Sequence, residues 1–346
     1  MSDKVRIGIV GTGNIAQTSH LPAFAKHKDA QVVAICDRNE QRAKEVADKV
    51  NAKYVFTDYN DLVNMKDIDA VDICTWNDTH APITIAAAKA GKHILCEKPM
   101  STSPELAEKM MKVVEENNVI FMLGLPQRFS AESKIIKAYS DAGIFGDIYY
   151  AKCGYIRRRG TPIGWFTNPN KSGGGPVIDI GVHVIDMTWY YMGKPKPVSV
   201  SACVYSEIGD YKTKGVNRWR AFDNDTVFGT EDSANGLIRF ENGASMNFEA
   251  SWALNGKQTG IYSSIHGTKA GADFKPFTIY GEQANYLVDS TPVYEKEDNF
   301  SNEIREFLDC IKDGRQPIAT AWDGLQIQKI LNGIYDSAKQ GKEVFL

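Results

Sequence analysis

The stretch that decides the fold is Val5-Arg-Ile-Gly-Ile-Val-Gly11-Thr-Gly13-Asn-Ile-Ala16. Its first six residues make a short continuous apolar run, which predicts a strand buried on both faces, as in a parallel sheet. The glycine-rich turn that follows predicts a dinucleotide site. Gly11 permits the tight turn, Gly13 lets backbone approach a pyrophosphate, and Ala16 keeps the next helix close to the strand. Thr12, Asn14 and Ile15 complete this loop as candidate cofactor contacts, and the helix start supplies N–H groups and a favourable dipole for the anion. A methyltransferase also carries a glycine-rich turn and an acidic residue on its second strand, so the turn alone leaves that class open.

Outward from this turn, strands and helices alternate. Gln31–Cys36, Ala70–Cys74, His93–Cys96 and Val119–Leu123 read as further buried strands. Helices are predicted over Asn14–Ala25, Glu40–Val50, Pro82–Ala90 and Pro104–Asn117, with Pro82 and Pro104 in first turns, Ser103 as an N-cap and Gly91 as a left-handed terminator. Such alternation implies a doubly wound parallel sheet. The pattern then changes. Residues 130–142 read as a helix, 156–176 as a Gly/Pro/Arg-rich stretch, and 177–192 as another helix. In Ala244–Trp252, Met246, Phe248, Ala250 and Trp252 alternate with Ser245, Asn247, Glu249 and Ser251, the period-two mark of an antiparallel sheet with one polar face. Two helices, 302–313 and 323–339, close the chain. The expected division is 1–125 for the nucleotide-binding domain and 126–346 for a substrate-binding domain.

Candidate chemistry falls at strand ends, where open parallel sheets bind ligands. Asp37 ends the second strand, placed to accept both ribose hydroxyls and to repel a 2′-phosphate, which favours NAD over NADP. Arg38 beside it softens that preference. Thr75, Trp76, Asn77 and His80 follow the fourth strand and are read as facing the cofactor, with helix capping as the other reading of His80. Glu97-Lys98-Pro99 ends the fifth, where a lysine ammonium can polarise a substrate oxygen. At mid-chain, Gly173-Gly-Gly-Pro-Val-Ile-Asp179-Ile-Gly-Val-His183 puts a carboxylate and an imidazole four residues apart on one helical face. The triple glycine is read as permitting close approach to a ligand, and Asp186 as a further partner for His183. One histidine among scattered acids does not make a recognisable metal set, so no metal is expected. Together these motifs point to a nicotinamide-dependent oxidoreductase.

Bulk properties agree. The 346 residues exceed one compact core, 43% are hydrophobic and 24% charged, and the net charge is −3 with no basic stripe, which argues against nucleic acid as a partner. No apolar run approaches the roughly 20 residues of a membrane span. Six cysteines show no CxxC spacing, and the N-terminus enters a strand directly, so a cytoplasmic protein with reduced thiols is expected.

Gly11-x-Gly13-x-x-Ala16, Glu97-Lys98-Pro99 and Gly173-Gly-Gly-x-x-x-Asp179-x-Gly-x-His183-x-x-Asp186, in that order, resemble the glucose–fructose oxidoreductase/inositol dehydrogenase family over essentially the whole chain. The resemblance implies an N-terminal Rossmann domain with a C-terminal, mainly antiparallel, open-faced α+β domain. It implies an NAD(P)-dependent dehydrogenase acting on a secondary alcohol of a sugar, cyclitol or derivative. Lys98 would be the catalytic lysine, His183 the proton donor or acceptor, and Asp179 its orienter or a substrate ligand. Gln127 stands where family members often carry Asn, as a cofactor contact, next to Arg128 as a substrate contact. The loop Arg157-Arg158-Arg159 to Trp165 resembles one that borders the substrate in one branch. Homodimers or homotetramers through the open sheet face are implied as well. Two other readings of such a chain are a glycoside hydrolase using NAD as a redox relay, and a non-catalytic dinucleotide sensor.

Overall fold

The computed structural model describes residues 4–223 and 225–346. The chain runs β1 (Val5–Val10), α1 (Leu21–Ala25), β2 (Ala30–Cys36), α2 (Glu40–Val50), β3 (Tyr54–Phe56), α3 (Tyr59–Val63), β4 (Ala70–Ile73), α4 (Asn77–Lys89), β5 (His93–Glu97), α5 (Pro104–Glu116) and β6 (Phe121–Gly124). It continues with α6 (Ala131–Asp141), β7 (Ile148–Ile156), α7 (Pro169–Ser172), α8 (Val182–Tyr191), β8 (Pro197–Tyr205), β9 (Ser233–Phe240), β10 (Ser245–Ser251), β11 (Gly260–Gly267), β12 (Gly271–Asp273), β13 (Thr278–Gln283), β14 (Tyr286–Ser290), α9 (Asn299–Asp313), α10 (Ala321–Gln340) and β15 (Val344–Phe345).

Two units emerge. The first contains the chain up to Pro126 and Asp298–Gln328, the second Gln127–Glu297 and Lys329–Leu346. A linear division after residue 125 does not anticipate the return of α9 to the first unit. The reason lies in side chains far apart in sequence: His27 bonds the Ser301 carbonyl at 2.8 Å, Lys26 pairs with Asp298, and Lys312 pairs with Asp29.

The first unit is built on a six-stranded sheet in the order β3-β2-β1-β4-β5-β6, every pair parallel. The order reverses direction between β1 and β4, the switch point at which such sheets bind ligands. Ser103 caps α5 by accepting the Leu106 N–H, with Pro104 in the first turn, and Gly91 is left-handed (φ 71°), all as predicted. Two helix starts differ from expectation. A π-helical turn over Ala16–His20 precedes α1. Pro82 lies inside α4, which begins at Asn77 because the Trp76 carbonyl accepts both the N–H and the hydroxyl of Thr79. Pro82 therefore lacks only the N–H that would have reached back one turn.

The second unit holds a nine-stranded sheet in the order β14-β13-β12-β11-β7-β10-β9-β8-β15. It is antiparallel except for β7 against β10, which run parallel. The alternation in β10 appears as predicted for Met246, Phe248 and Ala250, all buried, against exposed Asn247 and Glu249; Ser251 departs from it and is buried. The helix α8 is apolar almost all round and buried accordingly. A Cβ on Gly181, just before it, would sit 3.2 Å from the Ala250 Cβ, so glycine there allows close packing on β10. No helix among the described residues is long and apolar enough to cross a membrane.

The triple glycine serves packing within this unit rather than approach to a ligand. A Cβ on Gly174 would lie 2.0 Å from the Tyr335 hydroxyl, and one on Gly175 would lie 2.3 Å from the Glu231 backbone carbonyl. The Glu231 carboxylate then accepts the Gly175 N–H at 2.9 Å, the Val177 N–H at 3.2 Å and the Tyr335 hydroxyl at 2.8 Å. Burial raises the Glu231 carboxyl above its ordinary value, partly offset by these donors. Gly175→Ala must push against backbone, which cannot yield as a side-chain tip can. The expected loss is about 1–3 kcal/mol in denaturant unfolding; an unchanged midpoint would show that the segment has room.

Candidate active site

In the first unit the strand ends gather the nucleotide-binding motifs. Gly11 has φ 93°, and a Cβ there would meet the Cys74 carbonyl at 2.5 Å, so only glycine closes this turn against β4. Gly13 is different. A Cβ on it would meet nothing within 4 Å, so packing does not explain the missing side chain. Asn14 and Ile15 follow, half-buried, at the opening of the helical segment.

Asp37 is buried, and its Oδ2 accepts the Thr12 N–H at 2.9 Å and the Thr12 hydroxyl at 2.6 Å. Its Oδ1 accepts the Asn39 N–H at 2.8 Å. Arg42 completes the set, with Nη2 2.7 Å and 2.9 Å from the two carboxylate oxygens and Nε 3.1 Å from the Thr12 hydroxyl. Burial works against the charge, but the bonds from Thr12, Asn39 and Arg42 outweigh it and hold this carboxyl below its ordinary range. Arg42 escaped the sequence reading because five residues separate it from Asp37, across a strand end and a helix start. Arg38 lies 4.2 Å from the Trp76 ring centroid, stacking the two residues that follow β2 and β4.

Thr75 is half-buried with its hydroxyl oxygen 2.7 Å from that of Thr79, and Asn77 is buried at the start of α4. His80 is fully buried. Its Nδ1 lies 2.8 Å from the Pro99 carbonyl and its Nε2 3.3 Å from the Thr75 carbonyl, so it ties the end of β4 to the turn after β5. Burial pushes its ring below the ordinary histidine value. Lys98 is half-buried directly beyond β5, joined to Pro99 by a cis bond, and its N–H donates to Glu97 Oε2 at 3.1 Å. Glu97 itself is buried.

The second unit carries Asp179 in a π-helical turn (Val177–Gly181) and His183 in the first turn of α8, both half-buried. Trp252, at the end of β10, donates its indole N–H to Asp179 Oδ2 at 2.9 Å. The sequence showed Trp252 only as the last member of an apolar face. Arg157 Nη1 stands 3.9 Å from the same Asp179 oxygen and 3.2 Å from the Gly160 carbonyl. Arg158 is exposed, and Arg159 bonds Asn255 at 2.8 Å. Trp165 stacks on Phe166 with centroids 4.0 Å apart. Gln127, half-buried in a short 3-10 turn, gives its backbone carbonyl to the Ser133 hydroxyl.

Arg128 is not where the sequence reading put it. It is 1% exposed, its guanidinium meets both Asp186 oxygens at 2.9 Å and 2.6 Å, and it lies 4.6 Å over the Tyr190 ring. Asp186 is thereby paired with Arg128 inside the unit, a pairing that a separation of 58 positions hides from sequence. Arg128→Met leaves a buried unpaired carboxylate and should cost about 3–5 kcal/mol in urea unfolding. A loss within about 0.5 kcal/mol would instead mark Arg128 as solvent-facing.

Gly13 without a packing reason, a fixed acceptor at the β2 end and a lysine at the β5 end are the marks of a nicotinamide-type dinucleotide-binding oxidoreductase domain. Comparison with known proteins agrees with this class. The family profile for "oxidoreductase family, NAD-binding Rossmann fold" matches residues 5–125, and that for "oxidoreductase family, C-terminal alpha/beta domain" matches 141–346. The chain belongs to this family, that of glucose–fructose oxidoreductase and inositol dehydrogenase. It is 31% identical to D-glucoside 3-dehydrogenase of Escherichia coli (strain K12), over 100% of this chain and 98% of that protein. It is 26% identical to myo-inositol 2-dehydrogenase of Thermotoga maritima, over 92% of each. Among solved structures, levoglucosan dehydrogenase in complex with NADH and levoglucosan superposes with a TM-score of 0.85 at 25% identity, covering 99% of both chains.

Proposed function

We propose that this protein is an NAD-dependent dehydrogenase oxidising a secondary hydroxyl of a sugar glycoside, with Lys98, Asp179 and His183 acting on one substrate. Two observations, one in each unit, support the reading: a lysine at the β5 end whose N–H is held by Glu97, and an Asp179 carboxylate held by Trp252 four residues before His183. The identity to D-glucoside 3-dehydrogenase along the full chain supports a glycoside, and those to inositol and levoglucosan dehydrogenases support the broader class of cyclic polyols.

A bound NAD supplies the hydride acceptor. Gly11 to Ile15 would hold its pyrophosphate, Asp37 its adenosine ribose, and the Arg38–Trp76 stack would flank that end. Thr75, Asn77 and Gln127 stand as further cofactor contacts, with His80 acting through the turn it braces. On the protein side, the Lys98 ammonium stabilises negative charge on the substrate oxygen as its proton leaves. His183 takes that proton, and Asp179, fixed by Trp252, orients the ring or the substrate. Arg157 and Trp165 border the substrate hydroxyls. Assembly through the polar face of the second sheet is part of the same reading.

Lys98→Met should lower kcat for methyl β-D-glucopyranoside about a thousandfold while NADH affinity by fluorescence titration stays within about twofold. Turnover near the parent rate would remove Lys98 from the reaction. Arg42→Ala strips the Asp37 carboxylate of its counter-charge, so repulsion of a 2′-phosphate sharpens. The ratio of NADPH to NADH dissociation constants should rise about tenfold; an unchanged ratio would show that this carboxylate does not meet the ribose.

A further inference from the structure

The first unit buries a charge cluster that the proposed reaction does not use directly. His20 ends the π-helical turn before α1 and is 0% exposed. Its Nδ1 lies 3.0 Å and 3.1 Å from the two oxygens of Asp72, on β4, and its Nε2 lies 2.9 Å from Glu97 Oε1, on β5. The other Glu97 oxygen accepts the Lys98 N–H. Cys74 donates to Asp72 at 3.5 Å, and from α9 come the Phe300 ring, 6.0 Å from the imidazole, and Glu303. Glu303 is fully buried.

A neutral imidazole donates from one nitrogen only; an imidazolium donates from both. Carboxylate oxygens stand at hydrogen-bond distance from each nitrogen, and two buried carboxylates without a counter-charge would be costly. Protonating this ring satisfies both with one charge. Burial lifts the Glu303 carboxyl well above the ordinary range, which disfavours a further negative charge there. Burial also lifts the Cys74 thiol, reinforced by Asp72, which leaves it neutral.

We infer that His20 is a positioning residue for Lys98: an imidazolium clamp between Asp72 and Glu97 that fixes the carboxylate on which the Lys98 backbone is anchored. The inference rests on the role proposed for Lys98. It gives a purpose to a histidine that ends the helical turn after the glycine loop and touches no open surface. Burial disfavours the charged ring, but the charge and hydrogen bond of Asp72 outweigh it and hold His20 well above a free histidine. The sign follows. A ring whose folded value exceeds its unfolded one contributes stability that is fully present below about pH 6.5 and is lost as pH rises through the folded value.

The direct test is nitrogen NMR of the full-length protein labelled at its six histidines. One ring should keep the imidazolium signature at pH values where a free histidine is already neutral, and its signal should be absent in His20→Gln. Glu97→Gln should lower that ring's midpoint by at least about one unit, which assigns it even if the first variant does not fold. His20→Gln should lose about tenfold to a hundredfold in kcat for methyl β-D-glucopyranoside, with KM and NADH affinity within about twofold. Its deficit in melting temperature should be widest near pH 6 and narrow at alkaline pH. A His20 ring that is neutral at pH 7 would overturn the clamp. Unchanged kcat in His20→Gln alongside an inactive Lys98→Met would overturn the positioning role and leave the proposed reaction standing. An active Lys98→Met would sink the reaction itself, and the NMR result would still decide whether the clamp exists.

Discussion

Parallel pairing is the constraint on which the nucleotide-binding half depends. Val10 pairs with Cys36 and with Ile73, and Ile73 pairs with Cys96, so β1, β2, β4 and β5 end in step. The residues just beyond those ends, Gly11 to Gly13, Asp37, Thr75 and Lys98, are therefore brought to one edge although they span most of the first hundred positions. Gly11 seals this edge by lying against the Cys74 carbonyl, where any side chain would strike backbone. Once the register is set, only polar details remain for the loops to decide.

Those details are dominated by buried charge held in pairs. Asp37 is shared by Thr12, Asn39 and Arg42; Arg128 and Asp186 satisfy each other; Asp72 and Glu97 share His20. Each carboxylate is out of water and could not remain there alone. The pairs are expensive ways to stabilise a fold and effective ways to fix orientation, which is what positioned polar groups in a reaction require. The second unit follows the same rule on a smaller scale: Glu231 anchors the segment entering the Asp179 turn, and Trp252 fixes Asp179 from the neighbouring strand.

Much of this was legible in the sequence. The continuous apolar runs, the glycine turn answered by Asp37, the Ser103–Pro104 helix start and the alternation in β10 each follow from local chemistry and appear in the structure. What escaped was of one kind. Arg42 with Asp37, Arg128 with Asp186, Trp252 with Asp179 and α9 with α1 are pairings made by tertiary packing, and no periodicity marks them. Two local signals were overridden. Pro82 suggested a helix start, but the Trp76 carbonyl begins α4 a turn earlier, and the Gly173–Gly175 run suggested ligand approach, whereas Tyr335 and Glu231 fill the space. His20 was hidden for the same reason as Arg42, since its partners lie on two other strands.

In the proposed reaction the ammonium of Lys98 and the imidazole of His183 serve the same hydroxyl. A crystal structure of the protein with NAD and methyl β-D-glucopyranoside measures this directly. Both groups should lie within about 3 Å of one substrate oxygen. A substrate bound with the His183 ring beyond about 6 Å from that oxygen, too far even for one bridging water, would contradict the shared role.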